Sequence, residues 1–154
     1  MGTFGRGSEL LSRLWFGLDS LTVWFSILFE DVSAPRGMAV IDWEQAQYGP
    51  RAYDLGQLVG DLYEKAHLDS FSNAKLMVEL IGHAYGSKSE DLVFRTAVHA
   101  GVHLLHARTR RASDVEGLGL NKALDLAMFA RDLITNGFRG NKEWLSEHGF
   151  KGWI

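Results

Sequence analysis

The stretch GMAVIDWEQAQYGPRAYDLGQL, residues 37–58, begins as an apolar run, surfaces at Asp42, Trp43 and Glu44, turns at Gly49 and Pro50, and then opens a helix. Met38, Ala39, Val40 and Ile41 have the length and character of a strand anchored in a core. A strand held in this way fixes where the next residue emerges, so Asp42 is expected to stand stiffly at its mouth. Such a carboxylate is an oxygen ligand suited to a hard cation such as Mg²⁺, which keeps several waters and takes one or two protein carboxylates together with phosphate oxygens. Glu44 lies two residues on, and on the same side if the chain stays extended. Spacing alone favours a plainer reading, in which both acids mark where a strand meets water.

Working outward, FSILFEDV (25–32) is a second apolar run of strand length, separated from the first by SAPR (33–36). An antiparallel hairpin is the simplest arrangement of the two. After Pro50 the period changes to about 3.6. Leu55, Leu58, Val59, Leu62 and Ala66 share one face, and Asp54 with Gln57 is spaced as a capping box at the helix start. A second helix is predicted over Ser72 to Tyr85, with Leu76, Met77, Leu80, Ile81 and Ala84 inward and Gly86 as its stop. A third covers about Glu90 to Arg110. A fourth runs from about Leu120 to Thr135, with Leu120, Leu124, Ala127 and Ile134 inward and Asn136-Gly137 ending it. The tail from Asn141 has Trp144, Leu145, Phe150 and Trp153, enough to dock but not to define an element. The fold class expected is α+β and mostly helical: a short antiparallel β-hairpin followed by about four helices, with no internal repeat.

Composition bounds the function. With 154 residues and 46% hydrophobic content, the chain has the bulk for one compact domain. A formal net charge of -3 gives no broad basic surface for nucleic acid or anionic lipid. The absence of cysteine excludes disulfides and thiol chemistry and fits a reducing compartment, so a cytoplasmic location is the expectation. Residues 10–29, LLSRLWFGLDSLTVWFSILF, are the one membrane candidate, but Arg13 and Asp19 interrupt them. A charge at the centre of a span costs a few kcal/mol, so no membrane span is expected.

Three histidines, His99, His103 and His106, fall on one stripe of the third helix, opposite Val93, Phe94, Ala97, Gly101, Leu104 and Leu105. Spacings of four and three would let two imidazoles share a Zn²⁺ with a ligand from elsewhere. A polar, half-exposed face is the preferred reading. Arg108, Arg110 and Arg111 form a basic helix end that complements the helix dipole and could also contact phosphate. The five tryptophans are too scattered to form a stacking platform for bases and read as core or docking residues.

The wider pattern around Asp42 resembles the metal-binding strand and following helix of the aminoglycoside phosphotransferase and choline kinase family, whose members have a protein-kinase-like fold. In that family an apolar strand ends in Asp followed by an aromatic residue, then a Gly-Pro turn, then a Tyr-Asp-Leu helix start. These appear here as Ile41-Asp42-Trp43-Glu44, Gly49-Pro50 and Tyr53-Asp54-Leu55. The resemblance covers roughly Phe29 to Leu62 and implies ATP and Mg²⁺ as cofactors. It further implies Asp42 as a ligand of the Mg²⁺ that bridges nucleotide phosphates, Asp54 in a structural role, and an alcohol or aminoglycoside-like small molecule as phosphoryl acceptor. The family's His-Gly-Asp catalytic loop and its later Asn would precede this strand, but the corresponding positions hold Leu21 and Ser26. No catalytic residue is therefore assigned. The expectation is a truncated, inactive kinase-like helical lobe over residues 25–154. It would follow an atypical leader, residues 1–24, that is disordered or misassembled. The competing expectation is a non-enzymatic helical interaction module that binds a protein partner through an exposed apolar patch.

Overall fold

The computed structural model describes residues 26–29, 38–41, 49–68, 72–86, 88–110 and 120–154, with backbone alone at 26–29, 38–41, 107–110 and 120. Contacts divide the chain into two compact units, residues 1–48 and 49–154. In the first unit, β1 (Ser26–Phe29) and β2 (Met38–Ile41) pair antiparallel, with Ser26 opposite Ile41 and Phe29 opposite Met38. The expected leader, residues 1–24, lies outside the described residues. So does the SAPR turn.

The second unit is helical, in keeping with the mostly helical class expected from sequence. Its elements are α1 (Arg51–Leu68), α2 (Ala74–Ala84), α3 (Glu90–Arg110), α4 (Leu120–Arg139) and the short α5 (Lys142–Leu145), which runs into a wide π-type turn, Ser146–Phe150. Helix α3 packs against both α1 and α4, and its Ala97, Ala100 and Leu104 are fully buried. Glycine makes both contacts close. In α3, a Cβ at Gly101 would lie 2.5 Å from the carbonyl oxygen of Ala130 and 2.6 Å from Ile134 Cγ1 on α4. In α4, a Cβ at Gly137 would lie 2.9 Å from the Phe94 carbonyl oxygen.

Several expectations about registers are corrected. Helix α1 begins at Arg51, so Asp54 sits inside its first turn rather than at an N-cap, and the capping-box geometry with Gln57 does not arise. Leu58 is exposed, whereas Leu55, Val59 and Leu62 are buried as expected, together with Ala52 and Tyr63. In α2 most of the predicted stripe is turned outward, while Ile81 packs against the core. Leu76, Met77 and Leu80 are exposed and Ala74, Val78 and Gly82 are buried, because the small residues make room for the Trp153 indole. Helix α2 stops where expected, with Gly86 at φ 78. In α3, Leu105 is exposed although it was assigned to the core side. In α4, Ala123, Leu126, Ala130 and Leu133 are buried and Leu124 is exposed, a shift of one position. That helix continues through Asn136-Gly137, because Gly137 serves the contact with α3, and it ends only before Gly140, at φ 65.

The tail forms an element after all. Asn141 caps α5, its side chain accepting from the Trp144 amide at 3.2 Å. Leu145, Phe150 and Trp153 are buried, and the Trp153 indole N–H donates to the Val78 carbonyl at 2.8 Å. Removing large apolar side chains of this kind from water contributes roughly 1.5–3 kcal/mol each.

Gly101→Ala should destabilise the protein by about 1–3 kcal/mol, since the added methyl meets backbone and outweighs the gain of roughly 1 kcal/mol from helix propensity. Urea unfolding followed by far-UV circular dichroism reads this out, and a stabilised variant would contradict the close α3–α4 approach.

Candidate functional site

Strand β2 ends at Ile41, the residue before Asp42 in the sequence. Asp42, Trp43 and Glu44 themselves lie outside the described residues, as do Trp15, Trp24 and Arg111. Of Arg108 and Arg110 only the backbone is described. Downstream, Gly49 and Pro50 are exposed, and the Tyr53 amide donates to the Pro50 carbonyl at 2.9 Å to open α1. Asp54 is exposed in the first turn of α1, where a carboxylate interacts favourably with the positive end of the helix dipole.

The histidine stripe does not form one polar face. Only His106 is exposed. His99 is half-buried and meets the Tyr53 ring edge-on at 5.6 Å. Burial and, secondarily, the nearby Arg95 guanidinium lower its pKa below the usual histidine value. His103 is buried at 6% exposure, and its Nε2 lies 2.7 Å from Asp61 Oδ1 on α1. The expected half-exposed face is thus corrected at its middle member. Helix α1 covers it, because Gly60 admits the imidazole so closely that a Cβ there would sit 2.8 Å from His103 Cδ2.

Asp61 and Glu64 escaped the sequence reading. They are spaced i, i+3 and so share one face of α1, a legible signal, but their meeting with His103 depends on the α1–α3 packing. Trp144, read as a docking residue, stacks on His148 at 3.7 Å and 12°. An open cavity of about 650 Å³ lies nearby, lined by Tyr63, His67, Lys75, Phe129, Glu147 and His148. The Tyr63 hydroxyl donates to the His148 carbonyl, and burial raises its pKa far above the usual tyrosine value. Among the described residues, no helix is long and apolar enough to cross a membrane.

Comparison with known proteins bears on the strand, the loop and the first two helices. Residues 26–87 match the model of the phosphotransferase enzyme family. The chain is 29% identical over 111 residues to the phosphotransferase FrzJ of a Cladobotryum species, an alignment covering 72% of this chain and 28% of that protein. The chain therefore spans well under a third of that relative's length. No solved structure matches. Residues 26–87, from β1 to just beyond α2, are thus similar to the phosphotransferase enzyme family.

Proposed function

We propose that this chain is part of an ATP-dependent small-molecule kinase, a phosphotransferase whose acceptor is an alcohol. The observation that carries the reading is the family match over residues 26–87, which contains both the β2 strand end and the start of α1. Within that segment Asp42 is the residue assigned to Mg²⁺. Its carboxylate is the hard oxygen donor that this ion prefers, and it directly follows strand β2 in the sequence. Bound Mg²⁺ would neutralise charge on the nucleotide phosphates during transfer. Asp54 serves the helix start. The family match over residues 26–87 supports a kinase-like part that begins near residue 25; extending it to residue 154, with residues 1–24 as a separate leader, belongs to the same proposal.

The 154-residue chain by itself does not carry out transfer in this reading. Leu21 and Ser26 occupy the positions of the proton-accepting Asp and the metal-holding Asn, and neither side chain can accept a proton from an alcohol or replace a carboxamide at Mg²⁺. A second reading, an interaction module, is favoured by one specific feature. Helix α2 turns Leu76, Met77 and Leu80 outward, two of them more than half exposed.

Incubation of the chain with ATP, Mg²⁺ and a panel of alcohols, aminoglycosides included, should yield no phosphorylated product by mass spectrometry, and turnover above background would overturn the inactive reading. Mn²⁺ titration in the presence of ATP, followed by electron paramagnetic resonance, should show nucleotide-dependent binding that Asp42→Asn weakens at least about tenfold, in line with loss of one of few protein ligands. Equal binding by both proteins would remove Asp42 from the metal. Light scattering after size exclusion should give a monomer; a dimer that Leu80→Lys disperses would instead favour the interaction module.

A further inference from the structure

We propose that Asp61, Glu64 and His103 form a binding site for a divalent transition metal of the zinc class, bridging α1 and α3 and separate from any magnesium at Asp42. One ligand atom from each of the three side chains lies within 4.8 Å of the others. Glu64 and His103 are 5% and 6% exposed, so two of the three donors are fixed inside the helix pair. Rigid placement of donors lowers the ordering that binding requires.

The backbone explains the convergence. Asp61 and Glu64 stand one turn apart on α1, and Gly60 beside them lets the His103 ring approach from α3. Donors around a tetrahedral zinc ion sit about 3.3 Å apart, given metal–ligand bonds of roughly 2.0–2.2 Å. The His103–Asp61 separation of 2.7 Å must open slightly, and Glu64 must close on the same point. The donor set of one imidazole nitrogen and two carboxylate oxygens suits zinc or a neighbouring transition ion, and it disfavours Ca²⁺ and Mg²⁺, which take oxygen alone. Asp61 keeps 19% of its side chain exposed, which opens a path for the ion and for a water as fourth ligand.

The 154-residue chain, stripped with a chelator and dialysed, is titrated with Zn²⁺ alone by calorimetry at neutral pH, and with Co²⁺ by visible absorption. The site predicts one ion per chain, a rise in melting temperature, and an affinity reduced at least about tenfold by His103→Ala and by Glu64→Gln. His83→Ala, at an exposed position on α2, should leave affinity unchanged. No saturable uptake by the unmodified chain would overturn the proposal, leaving His103 and Asp61 as an ordinary buried hydrogen bond. Uptake that survives both cluster variants would overturn it equally. Should both variants lose their helical circular dichroism, the Co²⁺ spectrum of the unmodified chain decides. Intense visible bands of a four- or five-coordinate ion support the site, and the weak pattern of the hydrated ion refutes it.

Discussion

The second unit depends on how closely α3 can be approached from two sides. Helices usually pack with their axes about 8–10 Å apart, the distance being set by the side chains at the contact. Here Gly56 and Gly60 on α1 face His99, Ala100 and His103, while Gly101 and Gly137 mediate the contact with α4. Each glycine replaces a side chain with direct contact to the neighbouring helix, which increases dispersion attraction per residue and leaves no cavity for water. The gain exceeds the helix-propensity loss of roughly 1 kcal/mol per glycine only because these positions are buried against a partner. Ala97, Ala100 and Ala130 extend the same logic: small, fully buried residues along the seam.

That seam determines the chemistry available inside the unit. An imidazole on an exposed helix face would be an ordinary solvated group. His103 is instead carried into a wall of α1 and set against Asp61 and Glu64. His99, one turn earlier, is only half covered and faces an aromatic ring. Two histidines four residues apart thus acquire different surroundings, because a glycine on α1 lets one ring enter fully while the other meets Tyr53.

Features fixed by local chemistry were legible in the sequence. Helix α3 spans Glu90–Arg110 as its period implies, and Gly86 ends α2 because a positive φ suits glycine. The strand-loop-helix pattern around Asp42 was readable for the same reason, since its residues are contiguous. Features fixed by partners distant in sequence were not. Helix α2 carries apolar residues on both faces, and composition favoured the larger Leu76, Met77 and Leu80 as its core. Trp153, 71 residues beyond Gly82, selects the small face instead. Asn136-Gly137 has the local signature of a stop, yet contact with Phe94 keeps the chain helical through it. The tail looked too short to form an element because its capping by Asn141 and its docking against α2 are separate signals that only gain force together.

The two ion sites proposed for this chain differ in donor chemistry. Asp42 follows a strand and is an oxygen donor; magnesium suits it because that ion holds most of its water and needs few protein ligands beside phosphate. The cluster on α1 and α3 supplies a nitrogen and oxygens from side chains that are largely withdrawn from solvent, which suits a softer ion that sheds more of its water. The preferences diverge, so occupation of one site by its own ion does not compete with the other. A zinc-class ion between α1 and α3 would also act on a contact that already carries the core. Its binding energy would therefore add to the stability of the helical unit whether or not any nucleotide is present.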